Sequence, residues 1–183
     1  MSILFINACI RKNSRTLVLA KNVMNDMLGE ITELKLNCED IEALNDVSLK
    51  ARERLIESGE LSDPMFRYAR QFAEADEIII AAPYWDMSFP AKLKIYLEQI
   101  AVSGITFKYV AGRPIGLCKA KKLIYVTTSG GPIIYDFGFT YVKALAEKFF
   151  GIGKAVAVRA MNLDVEMISA KDLLRKAKIS VIE

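Results

Sequence analysis

The sequence contains no histidine. Histidine is the usual base beside a nucleophilic serine or cysteine and the commonest metal ligand, so its absence excludes Ser-His pairs, Cys-His pairs and imidazole-bound metals. Three cysteines, Cys9, Cys38 and Cys118, lie far apart and are odd in number. This pattern fits neither a disulfide framework nor a zinc site, so we expect reduced thiols and no metal. Any catalysis must come largely from a group other than these side chains.

Long apolar runs and clustered charges are also missing. No stretch approaches the roughly 20 apolar residues of a spanning helix, and residues 1–8 carry neither the basic region nor the cleavage site of a signal peptide. We therefore expect a cytoplasmic protein without a membrane partner. The 25 basic and 22 acidic residues give a net charge of +3 without a basic stripe, so nucleic acid is not an expected partner.

The apolar residues that are present form a regular pattern. With 183 residues, 52% of them hydrophobic, the chain can bury one core, and a single domain over residues 1–183 is expected. Short apolar runs rich in β-branched residues predict strands that are buried on both faces. The predicted strands are residues 3–8, 31–36, 77–82, 122–127 and 155–161.

Segments with helical period lie between these strands. One covers residues 16–28 and is stopped by Gly29, and another covers 62–75, with Ser62 as N-cap and Pro64 in the first turn. Apolar stripes spaced i, i+3, i+4, i+7 begin at Leu93 and at Val142. A small hairpin formed by residues 105–110 and 114–117 is expected beside the loop that follows the fourth strand.

Alternation of strands and helices predicts an α/β, doubly wound, five-stranded parallel sheet of order 2-1-3-4-5 with helices on both faces. In such sheets a ligand binds outside the carboxyl ends of the strands, at the switch between strands 1 and 3. Three loops, residues 9–15, 83–89 and 128–139, are therefore the expected site.

The first loop, Cys9-Ile10-Arg11-Lys12-Asn13-Ser14-Arg15-Thr16, brings hydroxyls and two or three cations to the first amide groups of a helix, which is an anion site in composition. It lacks both GxGxxG and a glycine-rich P-loop, so neither a dinucleotide nor a nucleoside triphosphate is favoured. The alternative is that Ser14 only caps the helix and the cations are solvated.

The second and third loops add an aromatic wall and a glycine-rich edge. Pro83, Tyr84, Trp85, Asp86 and Met87 form a stretch that should be exposed, where aromatic side chains suit a flat ligand. The alternative is that they fold back into the core. In the third loop, Thr128 and Ser129 precede Gly130 and Gly131, which let backbone approach a ligand closely or form a plain turn. Together the three loops match the phosphate, ring and polar edge of FMN.

At these loops the sequence resembles the FMN-dependent NADH:quinone oxidoreductase and azoreductase family of flavodoxin-like flavoproteins. The resemblance rests mainly on an ordered series between residues 83 and 122. That series is Pro83-Tyr84-Trp85-Asp86-Met87, Pro90-Ala91-Lys92-Leu93-Lys94, Gly104-Ile105-Thr106-Phe107-Lys108-Tyr109, Gly116-Leu117 and Lys121-Lys122.

The resemblance implies roles for individual residues. Cys9, Ser14, Arg15 and Thr16 would hold the phosphate, residues 83–87 would line the ring and ribityl chain, and residues 128–131 would meet the pyrimidine edge. Family members usually carry serine, asparagine, phenylalanine and often arginine where this chain has Cys9, Asp86, Met87 and Ser129.

The activity implied is ping-pong hydride transfer from NADH or NADPH through FMN to a quinone, azo or nitro acceptor, in a homodimer. The flavin would carry the chemistry, which is compatible with a chain that lacks histidine. A flavodoxin-like electron carrier without small-molecule turnover is the alternative. Asp86 is expected to make the flavin harder to reduce if it lies near the ring, or to have no such effect if it points to water.

Overall fold

The computed structural model describes residues 1–165, 169–177 and 179–180. Its strands are β1 (Ser2–Asn7), β2 (Glu30–Lys35), β3 (Glu77–Ala81), β4 (Phe107–Val110), β5 (Arg113–Gly116), β6 (Lys122–Thr128), β7 (Lys154–Ala160) and β8 (Ile179–Ser180). Its α-helices are α1 (Arg15–Met24), α2 (Asp46–Glu57), α3 (Arg67–Glu74), α4 (Ala91–Ile100), α5 (Phe137–Ala144) and α6 (Ala170–Lys176). Each of the five predicted strands is confirmed, with bounds that differ by about one residue.

The main sheet has the order β2-β1-β3-β6-β7-β8. The first five of these strands run parallel, and β8 pairs antiparallel with β7. Numbered without the hairpin strands, the parallel strands follow the predicted order 2-1-3-4-5, which places the switch between β1 and β3. The short antiparallel strand β8 is an addition that the sequence pattern did not predict.

Helices cover both faces of the sheet, as predicted. Because successive side chains of a strand point to opposite faces, Ile3 and Phe5 of β1 pack with α1 and α6, whereas Leu4 and Ile6 pack with α3, α4 and α5. All four side chains are at most 2% exposed. Burial on both faces explains why the parallel strands are continuous apolar runs. No helix within the described ranges is long and apolar enough to cross a membrane.

Two predicted helix ends are wrong. Helix α1 ends at Met24, four residues before the predicted end. Gly29 instead allows close approach of the chain at the start of β2, because a Cβ there would lie 2.7 Å from the Met1 carbonyl oxygen. The N-cap is Asp63 and not Ser62, since Asp63 accepts a 2.8 Å bond from the Met65 amide and caps a short 3-10 turn, Pro64–Phe66, that leads into α3. Proline prefers the first helical position, so Pro64 assigns the cap to the residue before it.

Helix α2 was not predicted. Asn45 begins it with a capping box, accepting bonds of 3.0 Å from the amides of Val47 and Ser48. Its one buried residue is Arg52, which donates to the Glu98 carbonyl at 3.1 Å, and burial lowers the pKa of this guanidinium. A helix that buries an arginine in place of an apolar stripe gives little hydrophobic period to detect.

The hairpin formed by β4 and β5 is confirmed, but its predicted place is wrong. The two strands pair antiparallel around Ala111 and Gly112, which both have positive φ, as a two-residue hairpin turn requires. Gly116 packs against the backbone before β7, where a Cβ would lie 2.1 Å from the Gly151 nitrogen. The hairpin therefore lies at the amino ends of the strands, opposite the loop that follows β6.

Candidate functional site

The three predicted loops meet in one cleft of about 240 Å³ at the carboxyl ends of β1, β3 and β6. Predicted residues outside its lining are Cys9, Asp86, Met87 and Gly131. Residues missed by sequence reasoning are Arg11, Asn13 and Asp164. The lining consists of Arg11, Asn13, Ser14, Arg15, Thr16, Pro83, Tyr84, Trp85, Thr128, Ser129, Gly130 and Asp164.

A buried hydroxyl pair joins the first loop to the third. Thr16 Oγ1 lies 2.7 Å from Thr128 Oγ1, and these residues are 1% and 7% exposed. Ser14 caps α1 by accepting a 3.3 Å bond from the Leu17 amide. The first amides of a helix have no acceptor within the helix, so α1 directs partial positive charge into the cleft. Ser14 therefore caps the helix and also lines the cleft, which makes the two interpretations of this residue compatible.

Arg15 is already paired within the chain. Its Nη1 donates to the Leu163 carbonyl at 2.9 Å and to Asp164 Oδ1 at 2.7 Å. The hydrogen bond from Arg15, together with the positive charge of Arg11, lowers the pKa of the Asp164 carboxyl. The carboxylate of Asp164 is therefore ionised at neutral pH, and the guanidinium of Arg15 is shared between the first loop and the segment after β7.

Gly130 is the point at which the third loop meets that same segment. The Asp164 amide donates to the Gly130 carbonyl at 3.0 Å. A Cβ on Gly130 would lie 2.1 Å from Asp164 Oδ2, so a larger residue here would displace this exposed carboxylate. Gly131 accepts a 2.6 Å bond from Ser129 Oγ. This bond closes a turn, which agrees with the alternative interpretation of the Gly-Gly pair.

The second loop contains a tight turn. Trp85 and Ser88 exchange backbone bonds of 3.1 and 2.7 Å around Asp86 and Met87. The φ angles of Asp86 and Met87 are +50° and +62°, values that residues other than glycine rarely adopt. Both residues are exposed and lie outside the cleft lining, whereas Tyr84 and Trp85 are half-buried and line it. The wall of the cleft is therefore made by Tyr84 and Trp85.

Tyr84 also ties the second loop to the third. Its hydroxyl donates to the Tyr135 carbonyl at 2.6 Å. The next residue, Asp136, caps α5 by accepting a 2.7 Å bond from the Phe139 amide. Arg159 Nη2 donates to the other oxygen of Asp136 at 2.6 Å. The side chains of this ion pair are only 13% and 12% exposed, so the end of the third loop is anchored in the interior.

Cys9 is the first residue of the first loop and does not line the cleft. Its thiol is 3.8 Å from the Ala81 carbonyl oxygen, and its amide donates to Asn7 Oδ1 at 2.9 Å. Burial raises the pKa of the thiol. A protonated, half-buried thiol is a weak donor, so Cys9 is poorly suited to bind an anion.

The missed residues carried recognisable signals. Arg11 and Asn13 lie in the first loop, which the sequence indicates as a whole, but neither was assigned to the site individually. Asp164 follows β7 by four residues. The rule that ligands bind outside the carboxyl ends of strands applies to the loop after the fifth parallel strand as well, and it would have included Asp164.

Comparison with known proteins agrees with this architecture. The family model for the flavodoxin-like fold matches residues 1–181. An FMN-dependent NADH:quinone oxidoreductase 2 from Clostridium perfringens is 35% identical, covering 93% of this chain and 90% of its own. One from Clostridium acetobutylicum is 38% identical, with coverages of 80% and 75%.

Solved structures show the same fold. An azoreductase from Bacillus anthracis superposes with a TM-score of 0.79 at 21% identity, covering 95% of this chain and 93% of its own. A second B. anthracis structure, an FMN-dependent NADH-azoreductase in complex with FMN, gives a TM-score of 0.77 at 23% identity, with coverages of 96% and 93%.

Proposed function

The chain belongs to the FMN-dependent NADH:quinone oxidoreductase family of the flavodoxin-like fold, and on this premise we propose that it is an FMN-dependent oxidoreductase whose flavin binds in the cleft between the three loops. The observation that carries the proposal is the meeting of an anion-attracting helix end, a half-buried aromatic wall and Gly130 in that one cleft.

The residues present fit FMN. The amides at the start of α1, the Ser14 and Thr16 hydroxyls and the charges of Arg11 and Arg15 would hold the phosphate, because hydrogen bonds to a charged group are about twice as strong as neutral ones. Tyr84 and Trp85 would contact the ring and ribityl chain, and the backbone of residues 128–130 would meet the polar edge.

When bound, FMN would take a hydride from NADH or NADPH and pass the electrons to a quinone, azo or nitro compound in ping-pong order. The chain's own contribution is to bind and orient. Pro83 stiffens the second loop, the Tyr84 hydroxyl fixes that loop to Tyr135, and Trp85 forms part of one wall of the cleft. We also propose a homodimer located in the cytoplasm.

A titration of the apoprotein with FMN, FAD and riboflavin tests the cofactor. One phosphate-sized anion site and no dinucleotide fingerprint favour FMN. Replacing both Arg15 and Thr16 with alanine should weaken FMN binding by about tenfold or more, since a hydrogen bond to a charged group contributes about 1.5–3 kcal/mol. Riboflavin binding should change little.

Two control variants separate phosphate contact from damage to the fold. Thr16→Ser keeps the hydroxyl that meets Thr128 and should retain FMN affinity. A double replacement of exposed Thr32 and Arg54 with alanine removes the same residue types away from the cleft. Binding of FAD alone, or no binding of FMN at micromolar concentrations, would contradict the proposal.

A further inference from the structure

The Asp164 carboxylate connects two residues that are proposed to hold the flavin. Its Oδ1 accepts the 2.7 Å bond from Arg15 in the first loop. Its Oδ2 occupies the space above Gly130 in the third loop, where a Cβ would be only 2.1 Å away. The carboxylate therefore lies where the two loops converge, next to the arginine that is proposed to hold the phosphate.

The charge of Asp164 is opposite to that of its surroundings. Among the described residues that line the cleft, Asp164 is the one acidic side chain, whereas Arg11 and Arg15 are cationic and α1 adds its positive end. The pKa of Asp164 is lowered by the Arg15 hydrogen bond, so its charge is present at neutral pH. A bound phosphate would accept hydrogen bonds from the same guanidinium, Arg15, that now donates to this carboxylate.

The ion pair between Arg15 and Asp164 is exposed enough for a ligand to replace the carboxylate. The side chains of Arg15 and Asp164 are 38% and 66% exposed, and an exposed ion pair adds little to stability. The Leu163 carbonyl, at 2.9 Å from the same Nη1, can keep the guanidinium in place when the carboxylate leaves.

We propose that Asp164 competes with the flavin phosphate for Arg15 and thereby limits the preference of the chain for FMN over riboflavin. The inference rests on the proposed function, because it takes FMN as the ligand of the cleft. It assigns Asp164 a role in cofactor specificity: riboflavin has no phosphate, so it gains nothing from the guanidinium that Asp164 occupies.

Flavin fluorescence titrations of the Asp164→Asn apoprotein test the proposal. The dissociation constant for FMN should fall about two- to fivefold, the range that one exposed ion pair represents, while that for riboflavin stays unchanged. In an Arg15→Gln background the same Asp164→Asn change should give no gain, because there is no guanidinium to release. Asp172→Asn is the matched control, since it removes an exposed aspartate paired with Arg175 at 3.1 Å in α6.

Several outcomes would overturn the proposal. They are unchanged or weaker FMN binding by Asp164→Asn, an equal gain for riboflavin, or a gain that persists without Arg15, which would indicate direct repulsion and no competition. If the unaltered chain binds FMN and any of these is found, only the role of Asp164 fails. If the unaltered chain binds no FMN, both this role and the proposed function fail. Circular dichroism of each variant checks that the fold is retained.

Discussion

Two Arg–Asp ion pairs of nearly equal length hold chain segments around the cleft, and they differ in how deeply they are buried. Arg159 and Asp136 are 2.6 Å apart with side chains 13% and 12% exposed, whereas Arg15 and Asp164 are 2.7 Å apart with side chains 38% and 66% exposed. A buried pair cannot lose one partner without leaving a desolvated charge, but an exposed pair can exchange its partner for water or a ligand. The same pair of residue types thus anchors the third loop in the interior at one place, and leaves Arg15 of the proposed anion site able to exchange its partner at the other.

Removing the arginine from each pair should give the largest difference between them. Arg159→Met should lower the free energy of unfolding by about 3 kcal/mol, because Asp136 is left charged and buried. Arg15→Met is the matched variant and should change stability by no more than experimental error. Urea denaturation of the two apoproteins measures both values. Equal losses would show that burial does not distinguish the two pairs.

A second variant tests backbone strain at the turn of the second loop. Met87 has a φ of +62°, and this backbone conformation destabilises a residue other than glycine by roughly 1–2 kcal/mol. Met87→Gly should therefore raise the free energy of unfolding by about 1 kcal/mol, even though glycine also adds entropy to the unfolded chain. This turn would then be a strained element beside a cleft that is otherwise well bonded.

The control for Met87→Gly is Met65→Gly. Met65 is also an exposed methionine, and its φ is not among the positive ones. Without strain to relieve, Met65→Gly should lower stability. A loss of stability in both variants, measured by urea denaturation, would mean that the φ of Met87 carries no strain.

The smallest effect is expected at Asp86, an exposed charge on the same turn. Two unit charges about 8 Å apart in water interact by about 0.5 kcal/mol, which is about 10 mV for a two-electron couple. Asp86→Asn should therefore raise the midpoint potential of the bound flavin by about 10 mV at low salt, with FMN affinity unchanged. A shift several times larger would place the carboxylate close to the ring in a shielded position, and a fall in potential would contradict the charge argument.

The sequence predicted the fold well because its strands are buried on both faces. Short β-branched runs such as residues 77–82 are typical of such strands. Their alternation with helices favours one common topology. Helix α2 was missed because Arg52 takes the place of an apolar stripe. Strand β8 was missed because two residues are too few to give a pattern.

The site was predicted in part for a similar reason. Ser14, Thr16 and Gly130 belong to local motifs, a helix cap and a glycine pair, that are visible in a few consecutive residues. Asp164 and Arg15 are 149 positions apart in the chain, and no local sequence motif indicates such a contact. The turn at Asp86 and Met87 was missed because methionine rarely adopts positive φ and no glycine follows Asp86. Tertiary contacts, including the 3.0 Å bond from the Phe137 amide to the Met87 carbonyl, help to hold it.

Anaerobic addition of NADH to the protein reconstituted with FMN, followed by its absorbance spectrum, tests the proposed function most directly. NADH should bleach the flavin absorbance and a quinone should restore it, with parallel double-reciprocal lines when both substrates are varied. Bound FMN that dithionite bleaches but neither NADH nor NADPH does would contradict the proposed function and favour an electron carrier.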